Sequence, residues 1–215
     1  MPPHADLGVH DDAADRAQHD RDPEQLGLAG LGTGAGRHGP RGRAGRLPQA
    51  TLGPGRGRGR RRVSRVEERL EELGLLLPPV AAPAGAYLPA VVSGNLVFTA
   101  GQLPLVDGAL PETGKVGAEV SAEAAKEWAQ RCALNGLAAA ASVIGSLDRV
   151  TRVVKVTGFV ASDPSFSGQP GVINGASELL GEVFGDAGRH ARSAVGVAVL
   201  PLDAPVEVEL ILEFA

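Results

Sequence analysis

The sharpest constraint in the 215-residue chain is a break at Arg62/Val63: no helical or strand-like apolar period precedes it, and such periods follow almost continuously. Only the second part can fold around a core. Charge breaks at the same place. Residues 1–62 carry 11 Arg, no Lys and 7 Asp/Glu, a net +4, whereas the remainder carries 10 Lys/Arg and 18 Asp/Glu, a net −8.

Residues 1–24 are acidic and contain His4, His10 and His19; residues 25–62 hold 9 Arg, no acid and much Gly and Pro. Such a segment buries too little apolar surface to offset its chain entropy and is expected to be disordered. Its Arg/Gly/Ala/Pro bias matches GC-rich DNA read outside a gene, which would make Val63 the true start. The run Gly30, Gly32, Gly34, Gly36 lacks the preceding strand, following amphipathic helix and Lys-Ser/Thr pair of a phosphate loop. The Arg/Gly run ending at Arg62 has a composition that can attract RNA by charge.

The body reads as a series of elements. Val66, Leu70 and Leu73 form one helical stripe ended by Gly74. An extended linker follows, from Pro78 to Pro83. Two apolar runs, Tyr87–Ser93 and Leu96–Gln102, are joined by Gly94-Asn95, a two-residue hairpin signal in which both residues tolerate positive φ. Residues 103–120 read as an ordered loop, and Ser121 as the N-cap of a long alanine-rich helix running to Ile144 and closed by Gly145. Val150–Ala161 is β-branched and strand-like, Ile173–Phe184 is a second main helix, and Arg192–Leu200 and Val206–Phe214 are two further strands. The order, short helix then β-β-α-β-α-β-β, predicts an α+β fold: a mixed sheet with two main helices packed on one face.

Candidate chemistry concentrates in the last two strands. Period 2 puts Val195, Val197 and Val199 on one face and Arg192 on the other, beside Ala194, Gly196 and Ala198. A guanidinium over small residues leaves space for a ligand, and its planar fork suits a carboxylate; the alternative is an ordinary surface or ion-paired arginine. Glu207 and Glu209 share a face of the final strand, either as solvated carboxylates or as groups that orient water and move protons. His190 has no partner evident in sequence and reads as a surface residue. Cys132, the only cysteine, reads as a small core residue and excludes an intramolecular disulfide. No metal-ligand spacing, nucleophile elbow or Walker motif occurs in the body. Without a long apolar span or a signal-like N-terminus, the chain reads as soluble and cytoplasmic.

Several segments together resemble the Rid (YjgF-like) family. They are Gly94-Asn95-Leu96-Val97-Phe98-Thr99-Ala100-Gly101-Gln102-Leu103-Pro104, the strand Val150–Val160, Asn174 with Glu178, Arg192-Ser193-Ala194-Val195, Leu200-Pro201 and Val206-Glu207-Val208-Glu209. The resemblance spans about residues 66–215 and implies a chorismate-mutase-like homotrimer, its sheets forming a central barrel with sites between subunits. It also implies hydrolytic deamination of reactive imine and enamine intermediates, small carboxylated metabolites of the 2-aminoacrylate or 2-iminopropionate type, with no metal or organic cofactor. Arg192 would hold the substrate carboxylate and Glu207 would orient the attacking water. Tyr87, Thr99, Gly101, Gln102, Asn174 and Ser193 would shape the cleft. Ala194 stands where familiar deaminases of the family carry Cys, and residues 107–117 lengthen the loop after the hairpin, which marks a longer subgroup. Two alternatives remain open: a non-catalytic trimer that binds a small ligand or partner through the same clefts, and an RNA-directed endoribonuclease or translation inhibitor. The net −8 of the body argues against the latter.

Overall fold

The structure, a computed structural model, describes residues 64–81 and 85–215. The expectations for the Arg/Gly-rich segment 1–62 and for a start at Val63 fall outside these residues. The elements in chain order are α1 (Arg65–Glu72), β1 (Ala90–Ser93), β2 (Leu96–Thr99), α2 (Ala122–Ile144), β3 (Val150–Ala161), α3 (Gln169–Phe184), β4 (Ala191–Val197) and β5 (Val206–Phe214). Short 3-10 turns at Leu147–Arg149, Gly185–Gly188 and Pro201–Asp203 join some of them.

Each boundary has a local cause. Ser64 caps α1 through a reciprocal capping box with Glu67, and the helix docks through buried Val66 and Leu70. Ser121 Oγ accepts from the Ala124 N–H at the start of α2, and Gly145 ends that helix at φ +83°. The hairpin pairs Ser93 with Leu96, so Gly94 and Asn95 alone make the turn. Only Gly94 adopts positive φ, at +60°, the pattern of a type II′ turn, so the expected freedom at Asn95 is not used. The second main helix starts one turn earlier than its apolar pattern suggests, because Pro170 at its first turn costs no hydrogen bond. Strand β4 stops at Val197, short of the expected Leu200.

The five strands form one sheet in the order β1-β2-β5-β3-β4. Only β3 and β4 run parallel; the other neighbours are antiparallel. Helices α2 and α3 cover one face, burying Val153, Val156 and Val160 of β3 with Val206, Val208, Leu210 and Leu212 of β5. Cys132 lies in this core, as its alanine-rich setting suggests. Burial, with a smaller contribution from the Glu207 charge, pushes its thiol well above the ordinary range, so it is inert. The opposite face carries the odd-numbered residues of β5 and, from Lys155 on, of β3. Val91, Phe98 and Val195 are exposed there.

Two glycines set the helix layer. A Cβ on Gly158 would overlap Ile173, and a Cβ on Gly175 would overlap the Lys126 carbonyl, so α3 lies directly against both β3 and α2. The obstacle at Gly175 is backbone and cannot swing aside. Gly175→Ala is therefore expected to destabilise the chain by about 1–3 kcal/mol, the usual cost of overpacking. Urea denaturation measures it, and a loss below the experimental error would show that α2 and α3 can separate freely.

Candidate functional site

The site begins with an irregularity in strand pairing. Phe98 pairs with Ile211, and Gln102 forms an isolated bridge with Val208. Three residues separate Phe98 from Gln102, but only two separate Val208 from Ile211, so the hairpin strand carries one extra residue and bulges at Ala100-Gly101. Side chains take over the bonds that the bulge displaces. The Leu210 N–H donates to Thr99 Oγ1 at 2.9 Å, and Gln102 Nε2 donates to the Ala100 carbonyl at 3.0 Å. Backbone bonds between Gln102 and Val208 (2.9 and 3.0 Å) close the far side. Asn135 of α2 clamps the chain beyond by donating to the Leu103 and Leu105 carbonyls.

The bulge brings the Gly101 backbone against the Glu207 carboxylate so closely that any Cβ at 101 would overlap it. Here glycine permits the close approach, and a side chain would push the carboxylate aside. Glu207 and Glu209 lie on the open sheet face and line a cleft of about 580 Å³. Tyr87, Leu88, Val91 and Phe98 form its apolar wall, and Thr99, Gly101 and Pro201 complete it. Partial burial, and then the charge of Glu209, raise the Glu207 carboxyl above its ordinary 4.5. A carboxyl shifted this way accepts and returns a proton nearer neutrality than a solvated one does.

Of the residues singled out from sequence, Tyr87, Thr99, Gly101 and Glu207 meet in this cleft. Gln102 does not line it: its buried side chain turns toward α2, and its part is to pin the bulge. Ser193 lies on the open face of β4, opposite Thr157. Arg192 and Asn174 form a separate group, in which Arg192 Nη1 donates to Asn174 Oδ1 at 2.8 Å and to Ser177 Oγ at 3.1 Å. The small-residue face of β4, read as open space for a ligand, is instead the face against which α3 packs. At Gly196, a Cβ would already crowd Gln169 of that helix. Glu178 pairs with Lys126 at 2.8 Å and ties α3 to α2.

Arg192 thus projects from the helix-covered face of edge strand β4, and Glu207 from the open face of β5, two strands away. Two strand spacings are about 10 Å. Leu88, within the apolar run Tyr87–Ser93, and Pro201, within the Leu200-Pro201 motif, were not singled out as cleft residues. Sequence reading also passed over Ser177, three residues after Asn174 on a helix, and it read His190 as a surface residue without a partner, whereas His190 bonds with Ser177 and the Gly188 carbonyl. Among the described residues no group of three or more His, Cys, Asp or Glu side chains is placed to hold a metal ion, and no helix is long and apolar enough to cross a membrane.

A mixed five-stranded sheet with helices on one face and a carboxylate-bearing cleft on the other defines the class: a small α+β protein of chorismate-mutase-like architecture. The sequence profile described as "YjgF/chorismate_mutase-like, putative endoribonuclease" matches residues 67–214, and the chain belongs to that family. It is 47% identical over 150 residues to protein TCP17 of Trypanosoma cruzi, covering 69% of this chain and 94% of that one. It is 35% identical over 132 residues to the 2-iminobutanoate/2-iminopropanoate deaminase of Escherichia coli, covering 60% of this chain and 90% of that one. Among solved structures, a putative endoribonuclease of Shewanella oneidensis superposes with a TM-score of 0.68 at 34% identity, over 69% of this chain and 99% of that one.

The raised Glu207 pKa links the site to stability. A carboxyl with a raised folded-state pKa favours the folded chain below its unfolded value and loses that contribution as pH rises through the folded value. Glu207→Gln, which does not titrate, is therefore expected to gain stability relative to the natural chain between about pH 4 and neutrality. Denaturation at both pH values measures this; a relative gain toward acid would show that Glu207 is not held in a charge-disfavouring site.

Proposed function

We propose that the protein hydrolyses reactive 2-imino acids, and enamines after their tautomerisation, to 2-oxo acids and ammonia. The observation that carries this reading is the Glu207 carboxyl, pushed up by partial burial in an apolar cleft and seated on the bare backbone of Gly101. The Escherichia coli relative, at 35% identity, is named for this reaction on 2-iminobutanoate and 2-iminopropanoate, which supports the assignment.

In this reading Glu207 takes a proton from a water as its oxygen attacks the carbon of the protonated imine, giving a tetrahedral amino alcohol. The same carboxyl returns that proton to nitrogen. The C–N bond then breaks, ammonia leaves, and the hydroxyl proton is released as the C=O bond forms. Positioned proton transfer of this kind contributes typically about 10²–10⁴-fold. Holding the substrate against the water supplies the rest, and Arg192 is the group suited to anchor the substrate carboxylate through two parallel hydrogen bonds.

Arg192 and Glu207 of one chain face opposite sides of the sheet, at an edge and at the centre. A single bound small molecule therefore meets both only if they come from different subunits. Exposed Val91, Phe98 and Val195 on the uncovered sheet face are apolar surface that assembly would remove from water. The proposed assembly is a closed homotrimer, in which each site pairs the cleft of one subunit with β4 of the next. A non-catalytic binding role for the same clefts is the second reading, favoured by Ala194 and Gly196, which leave β4 without a reactive side chain near Arg192.

Arg192→Ala is expected to reduce imine hydrolysis, measured with imine generated by an amino-acid oxidase, by about 30- to 1000-fold, corresponding to some 2–4 kcal/mol. The melting temperature should hardly move, because the side chain is exposed. Arg192→Lys should recover only part of the loss, since an ammonium lacks the planar fork. Light scattering should return three protomer masses. A stable monomer, or an Arg192→Ala variant with full activity, would contradict the reading.

A further inference from the structure

Arg192 is held by a chain of hydrogen bonds that extends beyond α3. Its Nη1 donates to Asn174 Oδ1 and Ser177 Oγ, residues three apart on one face of the helix. Ser177 Oγ lies 3.0 Å from His190 Nε2, and His190 Nδ1 lies 2.6 Å from the Gly188 carbonyl oxygen. For the neutral imidazole the chemistry of these atoms gives the direction of every bond. A carbonyl oxygen only accepts, so Nδ1 carries the proton, and in the neutral ring Nε2 is then the acceptor. The Ser177 hydroxyl donates to Nε2, which turns its lone pairs toward the Arg192 guanidinium.

Among the described residues both Arg192 hydrogen bonds leave from Nη1. The edge formed by Nε and Nη2, which binds a carboxylate side-on through two parallel bonds, is thereby left facing away from α3. An exposed arginine otherwise samples many rotamers, and ordering it on ligand binding costs affinity. Anchoring one end of the guanidinium removes part of that cost.

We propose that Ser177 and His190 are positioning residues: neutral His190 orients the Ser177 hydroxyl, and the hydroxyl fixes the Arg192 guanidinium so that its free edge receives the substrate carboxylate. This inference rests on the reading of Arg192 as the carboxylate anchor. Neither residue touches the reacting atoms, so their effect falls on binding common to ground and transition states, in KM rather than kcat.

The test compares the natural protein with Ser177→Ala, Ser177→Thr, His190→Phe and His190→Gln. Two quantities are measured: kcat and KM for 2-iminobutanoate made in situ, and the affinity for 2-oxobutanoate, the unreactive product, by calorimetry. Ser177→Ala and His190→Phe should raise KM and weaken 2-oxobutanoate binding by roughly 2- to 12-fold, the worth of one ordinary hydrogen bond, with kcat within about twofold. Ser177→Thr keeps the hydroxyl, and His190→Gln puts an amide oxygen near the Nε2 position, so both should restore most of the affinity. If His190→Phe fails to fold, the Ser177 pair and His190→Gln still decide. Variants that match an active natural protein in KM and product affinity overturn the positioning role alone, as does a loss confined to kcat. A natural protein that neither hydrolyses the imine nor binds 2-oxobutanoate overturns the functional reading and this inference with it.

Discussion

The candidate site depends on one extra residue in the hairpin strand. Because Ala100-Gly101 bulges out of the pairing with β5, the backbone at Gly101 moves under the Glu207 carboxylate, and a side chain there would displace that carboxylate. The bulge is held from several sides. Thr99 Oγ1 accepts the Leu210 N–H, Gln102 Nε2 reaches back to the Ala100 carbonyl, and the Ala100 N–H donates to the Pro89 carbonyl. These bonds pair the Leu210 N–H, the Ala100 carbonyl and the Ala100 N–H, each of which would cost about 1–3 kcal/mol if buried without a partner. The bulge is thus a built element that aims a carboxylate. Thr99 and Gln102, polar residues in a buried strand, have their physical reason here.

The second constraint is the alternation of side chains along a strand. On β5 it sends Val206, Val208 and Leu210 into the helix layer and Glu207 and Glu209 into the cleft. On β4 it sends Arg192 toward α3, where Asn174 and Ser177 hold it. The carboxylates and the guanidinium that the proposed reaction needs are therefore kept apart within one chain. That separation prevents an internal Arg192–Glu207 ion pair, which would neutralise the anchor and drop the carboxyl pKa. In the proposed assembly each group would meet its counterpart on another subunit.

Much of this was legible in the sequence because period and punctuation are local. Gly94-Asn95 marked the turn, Ser121 and Gly145 marked the ends of α2, and the β-branched run marked β3 from Val150 to Ala161. The pair of acids in the final strand could be placed on one face by counting. Which face carries the helices could not be counted from β4, whose residues are small or half-exposed on both sides. So the row Ala194, Gly196 read as a ligand floor when part of it receives α3. Gln102 read as a cleft residue because motif position does not reveal that an adjacent bulge turns the side chain inward. Glu207 was singled out by strand alternation and Tyr87 by resemblance, but their meeting with Leu88 and Pro201 depends on loops that no periodicity describes. The relation of His190 to Ser177 needed the parallel pairing of β3 and β4, a long-range contact.

The central claim is that each site draws Glu207 from one subunit and Arg192 from its neighbour, and mixing inactive variants tests it most directly. Arg192→Ala and Glu207→Gln proteins, each inactive alone, would be unfolded together in equal amounts, refolded and assayed for imine hydrolysis. In a randomly mixed closed ring about one interface in four joins an intact Arg192 to an intact Glu207, so about a quarter of the natural activity should return. Recovery near that level supports a site shared between subunits. Failure of the mixture to exceed either variant, with mixed assemblies confirmed by mass, would contradict it and place the whole site within a single chain.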